Sequence, residues 1–348
     1  MTVHRGRGET GELSHTLMAT RPAERTTRNI SIVVFLAIAG VLVSLSAGAQ
    51  QPAREFRVGV LALASAQTMQ ARLDVFRESL RALGYDKNLT LEFGFANGAY
   101  DRLPGLAAEL ARRKVDVFLA QGEPPLLAAK EKGENIPIVV VSCDPLEKLL
   151  GSLRRPGGNA TGFTCVSSDL VGKRFGLLKS LFPRLERVAV LYNKRDNHDL
   201  EFKDAEVAAQ SLRISLVRVA VESPADFEEA FKSMGEQKCD ALYIVASAFA
   251  NLHWQKLAEL SVNYRLPAIY GFREFTEFGG LISYGANLSD GYRRAAALVD
   301  RIFKGAKPSD LPAEQPTRFE LVVNARTAKS FGIELPSTLL AIADEVIE

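Results

Sequence analysis

Short uninterrupted apolar runs alternate along this chain with stretches whose apolar residues recur every three or four positions. Arg57-Val-Gly-Val-Leu-Ala-Leu63 is such a run, and it suits a strand covered on both faces of a parallel sheet. The next stretch, Thr68 to Leu83, places Met69, Leu73, Phe76, Leu80 and Leu83 at helical spacing, with Gly84 as its stop. Leu89–Phe95 predicts a strand. Asp101 to Arg113 predicts a helix with Leu103, Leu106, Ala107 and Leu110 on one face. Strands over Val115–Ala120, Ile136–Ser142 and Ala160–Cys165 follow, with a helix opened by Pro124 and Pro125 between the first two. Strand, helix, strand in repetition is the pattern of a parallel sheet with right-handed crossovers.

The alternation then starts again. Helices are predicted over Asp169–Leu181, Asp199–Leu212, Pro224–Gln237, Asn251–Tyr264 and Arg273–Phe278. Strands are predicted over Arg187–Asn193, Leu216–Val221, Ala241–Ala246, Pro267–Gly271 and Gly280–Tyr284. An amphipathic helix, Ser289–Lys304, a proline-rich crossing, Pro308–Pro316, a strand, Phe319–Val323, and a helix, Ala325–Phe331, complete the chain. The expected fold is α/β, with two doubly wound parallel-sheet lobes joined by a hinge. Residues 50–166 plus 287–348 are assigned to lobe 1 and 167–286 to lobe 2. The chain is expected to cross between them near Ser167, near Ala286 and a third time near Pro316.

The first 49 residues stand apart from this rhythm. Arg21, Arg25 and Arg28 precede the uncharged apolar run Ile30–Ala49, which closes on Ala47-Gly48-Ala49. A basic segment, an apolar centre and a small-x-small end form a secretory signal, with cleavage expected after Ala49 and a periplasmic destination. The rival reading is an uncleaved anchor, because the run is nearly long enough to span a bilayer. Met18 offers a later start with a more ordinary basic segment.

Composition narrows the function further. The net charge is +2, and the signal segment carries five Arg against three Glu, so the remainder is formally neutral. A nucleic-acid binder would show a basic excess, and no stripe of Lys and Arg is present. Cys143, Cys165 and Cys239 have no metal spacing and read as small buried side chains. A Cys143–Cys165 bridge is the alternative that an oxidising compartment allows, since each ends a predicted strand. His198 and His253, which follow the signal segment, have no companion at ligand spacing. Phosphate-loop, dinucleotide, serine-hydrolase and zinc-protease motifs are absent, so the chain is read as no enzyme, without cofactor or metal.

Ligands of open α/β sheets sit beyond the carboxyl ends of strands. The loops there supply the candidate contacts Ser65, Gln67, Gln121, Glu123, Asp144, Ser167, Ser247, Phe272 and Tyr284. Hydroxyls, amides and helix N-termini suit a carboxylate, and the rings suit a flat apolar part. Helix capping is the competing role for Ser65, Ser167 and Glu123, and core packing for Phe272.

Six segments in order carry a family resemblance: Tyr100–Leu110, Arg112–Val117, Arg155–Gly162, Arg187–Leu191, Gly280–Gly285 and Gln315–Asn324. Through them the chain resembles the substrate-binding proteins of ABC transporters typified by tryptophan- and tyrosine-uptake binding proteins. The resemblance implies a type I periplasmic-binding fold whose lobes close on a small-molecule solute. It also implies an inner-membrane ABC permease as partner, with a monomer as the default state. An aromatic amino acid or a related compound is the solute class implied. Gln121-Gly122-Glu123-Pro124 departs from the family's small, hydroxyl-bearing loop after the third strand. A carboxylate there is unfavourable beside a ligand carboxylate. A membrane-anchored ligand-sensing domain is the alternative function.

Overall fold

Continuous apolar runs become the strands of two separate sheets. The computed structural model describes residues 54–143, 146–165, 170–196 and 199–348. Residues 1–49, expected above to be a signal, and the candidates Asp144 and Ser167 lie outside the described residues.

The first lobe is built from β1 (Phe56–Ala62), α1 (Ala66–Ala82), β2 (Leu89–Phe95), α2 (Leu103–Arg112), β3 (Val117–Gln121), α3 (Glu123–Lys132), β4 (Ile138–Ser142), α4 (Glu147–Leu150) and β5 (Ala160–Thr164). Its sheet has the order β2-β1-β3-β4-β5, and every pair is parallel. β3, β4 and β5 are buried at every residue, which is why they read as uninterrupted apolar runs. β2 forms the edge and is largely half-exposed.

The second lobe continues with α5 (Val171–Leu181), β6 (Arg187–Asn193), α6 (Asp199–Leu212), β7 (Ser215–Val221), α7 (Phe227–Glu236), β8 (Ala241–Ile244), α8 (Ala248–Asn263), β9 (Ala268–Tyr270), α9 (Arg273–Glu277) and β10 (Ile282–Gly285). The chain returns to the first lobe for α10 (Leu288–Phe303), then ends with β11 (Glu320–Asn324), α11 (Ala325–Phe331), α12 (Ser337–Ile342) and β12 (Glu345–Ile347). The second sheet runs β12-β11-β10-β9-β8-β6-β7.

Two features differ from expectation. Residues 287–348 were assigned to lobe 1, yet only the first part packs there. β11 pairs with β10 and β12 with β11, so the end of the chain completes the second sheet. The β10–β11 pair is antiparallel, unlike the others. The reason is connectivity: β10 runs toward the first lobe, the chain visits that lobe, and β11 re-enters from the same end.

Helix α10 belongs to the first lobe because its apolar stripe meets α1 and the sheet. Ala295, Ala296 and Val299 are fully buried there. Tyr85 donates to Asp300 Oδ1 at 2.9 Å, and Phe56 stacks on Phe303 at 4.2 Å between centroids. Burial first, then the Asp300 carboxylate, pushes the Tyr85 phenol up to about 12.

The three crossings are tied to one another. Thr164 N–H donates to Glu314 O at 3.0 Å, and Glu314 N–H to Gly162 O at 2.7 Å. The Asn287 side chain donates to Glu320 Oε1 at 3.0 Å and caps α10 by accepting from Asp290 N–H. A Cβ at Gly162 would lie 2.0 Å from Val140 O, so β5 can approach β4 this closely only with glycine.

Cys143 and Cys165 form a disulfide, with their Cα atoms 4.4 Å apart. The alternative of a bridge is thus the one that holds for Cys143 and Cys165, and Cys239 remains a half-buried thiol. β4 and β5 are adjacent parallel strands in register, Ser142 opposite Thr164, and this delivers the next residue of each to its neighbour.

Candidate functional site

The carboxyl ends of β3 and β4 face the N-terminus of α8 across the gap between lobes. A narrow pocket lies there, with a cavity volume of about 20 Å³. The first lobe contributes Arg72 from α1, Gln121 and Gly122 from the end of β3, and Val141, Ser142 and Cys143 from the end of β4. Leu288 and Tyr292 come from α10, and Ser247, Ala248 and Asn251 from the second lobe.

Local sequence explains each position. Gln121 ends a buried strand and is only 6% exposed. Gly122 follows with φ 89°, a left-handed conformation that favours glycine, and turns the chain into α3. Ser247 caps α8, accepting from Ala250 N–H at 3.1 Å, and Asn251 follows one turn later, 5% exposed. The oxygens Gln121 Oε1 and Asn251 Oδ1 are both buried without a hydrogen-bond partner among the described residues.

Arg72 is 4% exposed and reaches across the gap, donating from Nη2 to Glu274 Oε1 at 3.3 Å. Glu274 belongs to α9 of the second lobe. A second bridge joins the lobes where Tyr100 donates to Asp196 Oδ1 at 2.8 Å, with the Arg195 guanidinium 5.5 Å from the Tyr100 ring centroid. Burial pushes the Tyr292 phenol up to about 12, against an opposing pull from Arg72. Tyr292 therefore stays neutral, and its hydroxyl donates to Met69 Sδ at 3.8 Å.

Of the sequence-derived candidates, the structure brings Gln121 and Ser247 to the pocket. Glu123 is half-buried at the first residue of α3, beside Gly122. Ser65 caps α1, accepting from Thr68 N–H at 3.2 Å, and Gln67 is exposed on the first turn; neither lines the pocket. Phe272 is buried in the core, because its backbone starts α9 while its ring packs inward. Tyr284 packs against the second lobe's core and faces Phe319 at 6.2 Å, since strand alternation turns it off the pocket side.

Arg72, Asn251 and Tyr292 were missed. Arg72 had a legible signal, a cation at i+3 from Met69 inside an apolar helical stripe. Asn251 had none, because the predicted helix began at that residue, one turn late. Arg174 was also missed. It is fully buried under the second lobe, where Nε donates to Tyr284 O at 2.8 Å and Nη1 to the Tyr243 hydroxyl at 3.1 Å. Tyr243 in turn donates to Glu201. This cluster braces α5, α6, β8 and β10 behind the pocket.

Among the described residues, no group of three or more His, Cys, Asp or Glu is placed to hold a metal ion. No helix among them is long and apolar enough to cross a membrane.

Two sheet-and-helix lobes, three connected crossings and a pocket between facing strand ends define a periplasmic-binding-protein-like fold. Residues 57–347 match the family described as ABC transporter substrate binding protein, and the chain belongs to that family. Its members bind small solutes and deliver them to ABC permeases, typically outside the cytoplasm. A conserved domain protein from Vibrio cholerae O1 biovar El Tor is 24% identical with a TM-score of 0.79, covering 84% of this chain and 100% of that one. An ABC domain from Streptococcus pneumoniae in complex with L-Trp is 21% identical with a TM-score of 0.76, covering 83% and 100%. A ligand-free, open substrate-binding protein from Clostridium difficile, CD0873, is 22% identical with a TM-score of 0.61, covering 84% and 99%. A search among curated proteins finds no match.

Proposed function

We propose that this chain is the exported solute-binding component of an ABC importer, and that it holds a small organic solute between its lobes without altering it. The observation that carries this is the pocket itself. It lies beyond strand ends, draws side chains from both lobes, and contains buried polar oxygens with no partner among the described residues. Such groups are unfavourable alone and become satisfied when a ligand arrives. Closure then follows from contacts that exist only when both lobes touch the solute.

The solute is an aromatic amino acid or a related compound on the analogy of the S. pneumoniae protein, whose complex contains L-Trp. The working form is a monomer that begins at Gln50 in the periplasm and docks on an inner-membrane permease. Thermal shift across amino acids, purines and aromatic acids tests the binding role. Stabilisation by one compound class is expected, and no shift with any compound counts against it. Mass spectrometry of the exported protein tests the N-terminus; a retained segment 30–49 would favour the anchored sensor instead.

A further inference from the structure

The pocket's lining mixes donors, such as the Arg72 cation and the Ser247 and Tyr292 hydroxyls, with acceptors, and two of the acceptors stand unmet. Gln121 Oε1 from the first lobe and Asn251 Oδ1 from the second are buried acceptors with no donor among the described residues. The loop between β3 and α3 offers few donors to set against them. Gly122 N–H is used by Val141 O at 2.9 Å, and Pro124 and Pro125, in the first turn of α3, have no N–H at all. That helix start thus lacks two of the N–H donors that a first turn ordinarily offers a carboxylate. Arg72, the cation lining the pocket, already faces the Glu274 carboxylate across the gap.

We infer that the solute carries a head with at least two hydrogen-bond donors, N–H or O–H, and that this head bridges Gln121 of one lobe and Asn251 of the other. The inference rests on the solute-binding reading above and specifies the chemistry of its pocket. An ammonium, a primary amide and a hydroxyl-rich head share this chemistry. Because the two acceptors belong to different lobes, the donor head is also what couples recognition to closure. A solute lacking it leaves both oxygens buried and unmet.

Calorimetry with matched probes tests this on the mature protein. L-tryptophan is compared with indole-3-propionate, benzamide with benzoate, and 1-phenylethane-1,2-diol with ethylbenzene; each first member carries donors that its companion lacks. At least tenfold preference for the first member of a pair is expected, and the pair showing it identifies the head as ammonium, amide or hydroxyl. Asn251→Leu and Gln121→Met are expected to weaken that probe at least tenfold. Asn251→Asp and Gln121→Glu, which remain acceptors of similar shape, retain or tighten it, and far-ultraviolet circular dichroism verifies folding of each variant. Equal or tighter binding of indole-3-propionate or benzoate would overturn the donor assignment while leaving the solute-binding role intact. Loss of binding in the acidic variants equal to that in the apolar ones would also overturn it. Binding by none of these probes, nor by the broader panel, overturns both readings.

Discussion

Arg72 occupies a position on α1 where Met69, Leu73, Phe76 and Leu80 are all buried. A buried cation on an apolar stripe requires a partner, and Glu274 of the other lobe supplies it. Glu274→Gln keeps an acceptor but removes the charge. A hydrogen bond to a charged group contributes about 1.5–3 kcal/mol, so solute affinity should fall roughly tenfold. Small-angle scattering should show a larger radius of gyration for that variant; an unchanged profile and affinity would remove Arg72 and Glu274 from the closing mechanism. His253 makes a second prediction at this scale. It lies edge-on to Phe227 and Phe249, and burial pushes its imidazole down from 6.5 to about 4. The unfolded chain binds the proton first as pH falls. Stability contributed by the neutral ring is therefore complete above 6.5 and is lost progressively between 6.5 and 4. Denaturant titrations at pH 7 and pH 4.5 should show this loss in the native sequence and a smaller one in His253→Phe.

At the scale of elements, apolar periodicity decided most of the first lobe. Phe76 is fully buried between α1 and the sheet, and Phe76→Ala should cost about 3–5 kcal/mol, read from a urea transition. β4 and β5 owe their contact to Gly162 and to the bridge just beyond it. The disulfide closes a loop with a sequence separation of 22, and Cys143→Ser with Cys165→Ser should destabilise by about 2–4 kcal/mol. Reductant should reproduce that shift in the native protein and add nothing in the double variant. Elements that depend on partners were harder to read. β12 has three residues and exists because β11 offers an open edge. α8 starts at Ala248, one turn before the apolar spacing becomes regular, because the Ser247 side chain caps it there.

For the whole molecule, the connections matter more than either sheet. Three strands of chain pass between lobes and are hydrogen-bonded together through Glu314, Asn287 and Glu320. A bundle of this kind bends without separating the lobes. Side chains from both lobes meet at the pocket and at bridges such as Arg72–Glu274 and Tyr100–Asp196. A bound solute should therefore compact the protein, with a decrease in radius of gyration at saturation. No change in scattering despite measurable binding would assign recognition to one lobe alone.

The sequence by itself determined the alternation of strands and helices and the presence of two lobes. Those properties are written in hydrophobic period and turn residues, which act over a few positions. It also singled out Gln121 and Ser247, because loops after strands are predictable from strands. Only the tertiary structure decided that Arg72, Asn251 and Tyr292 converge, that Cys143 bonds Cys165, and that the last strands finish the second sheet. Each of these depends on which elements become neighbours, and local pattern carries no record of neighbours far apart in the chain.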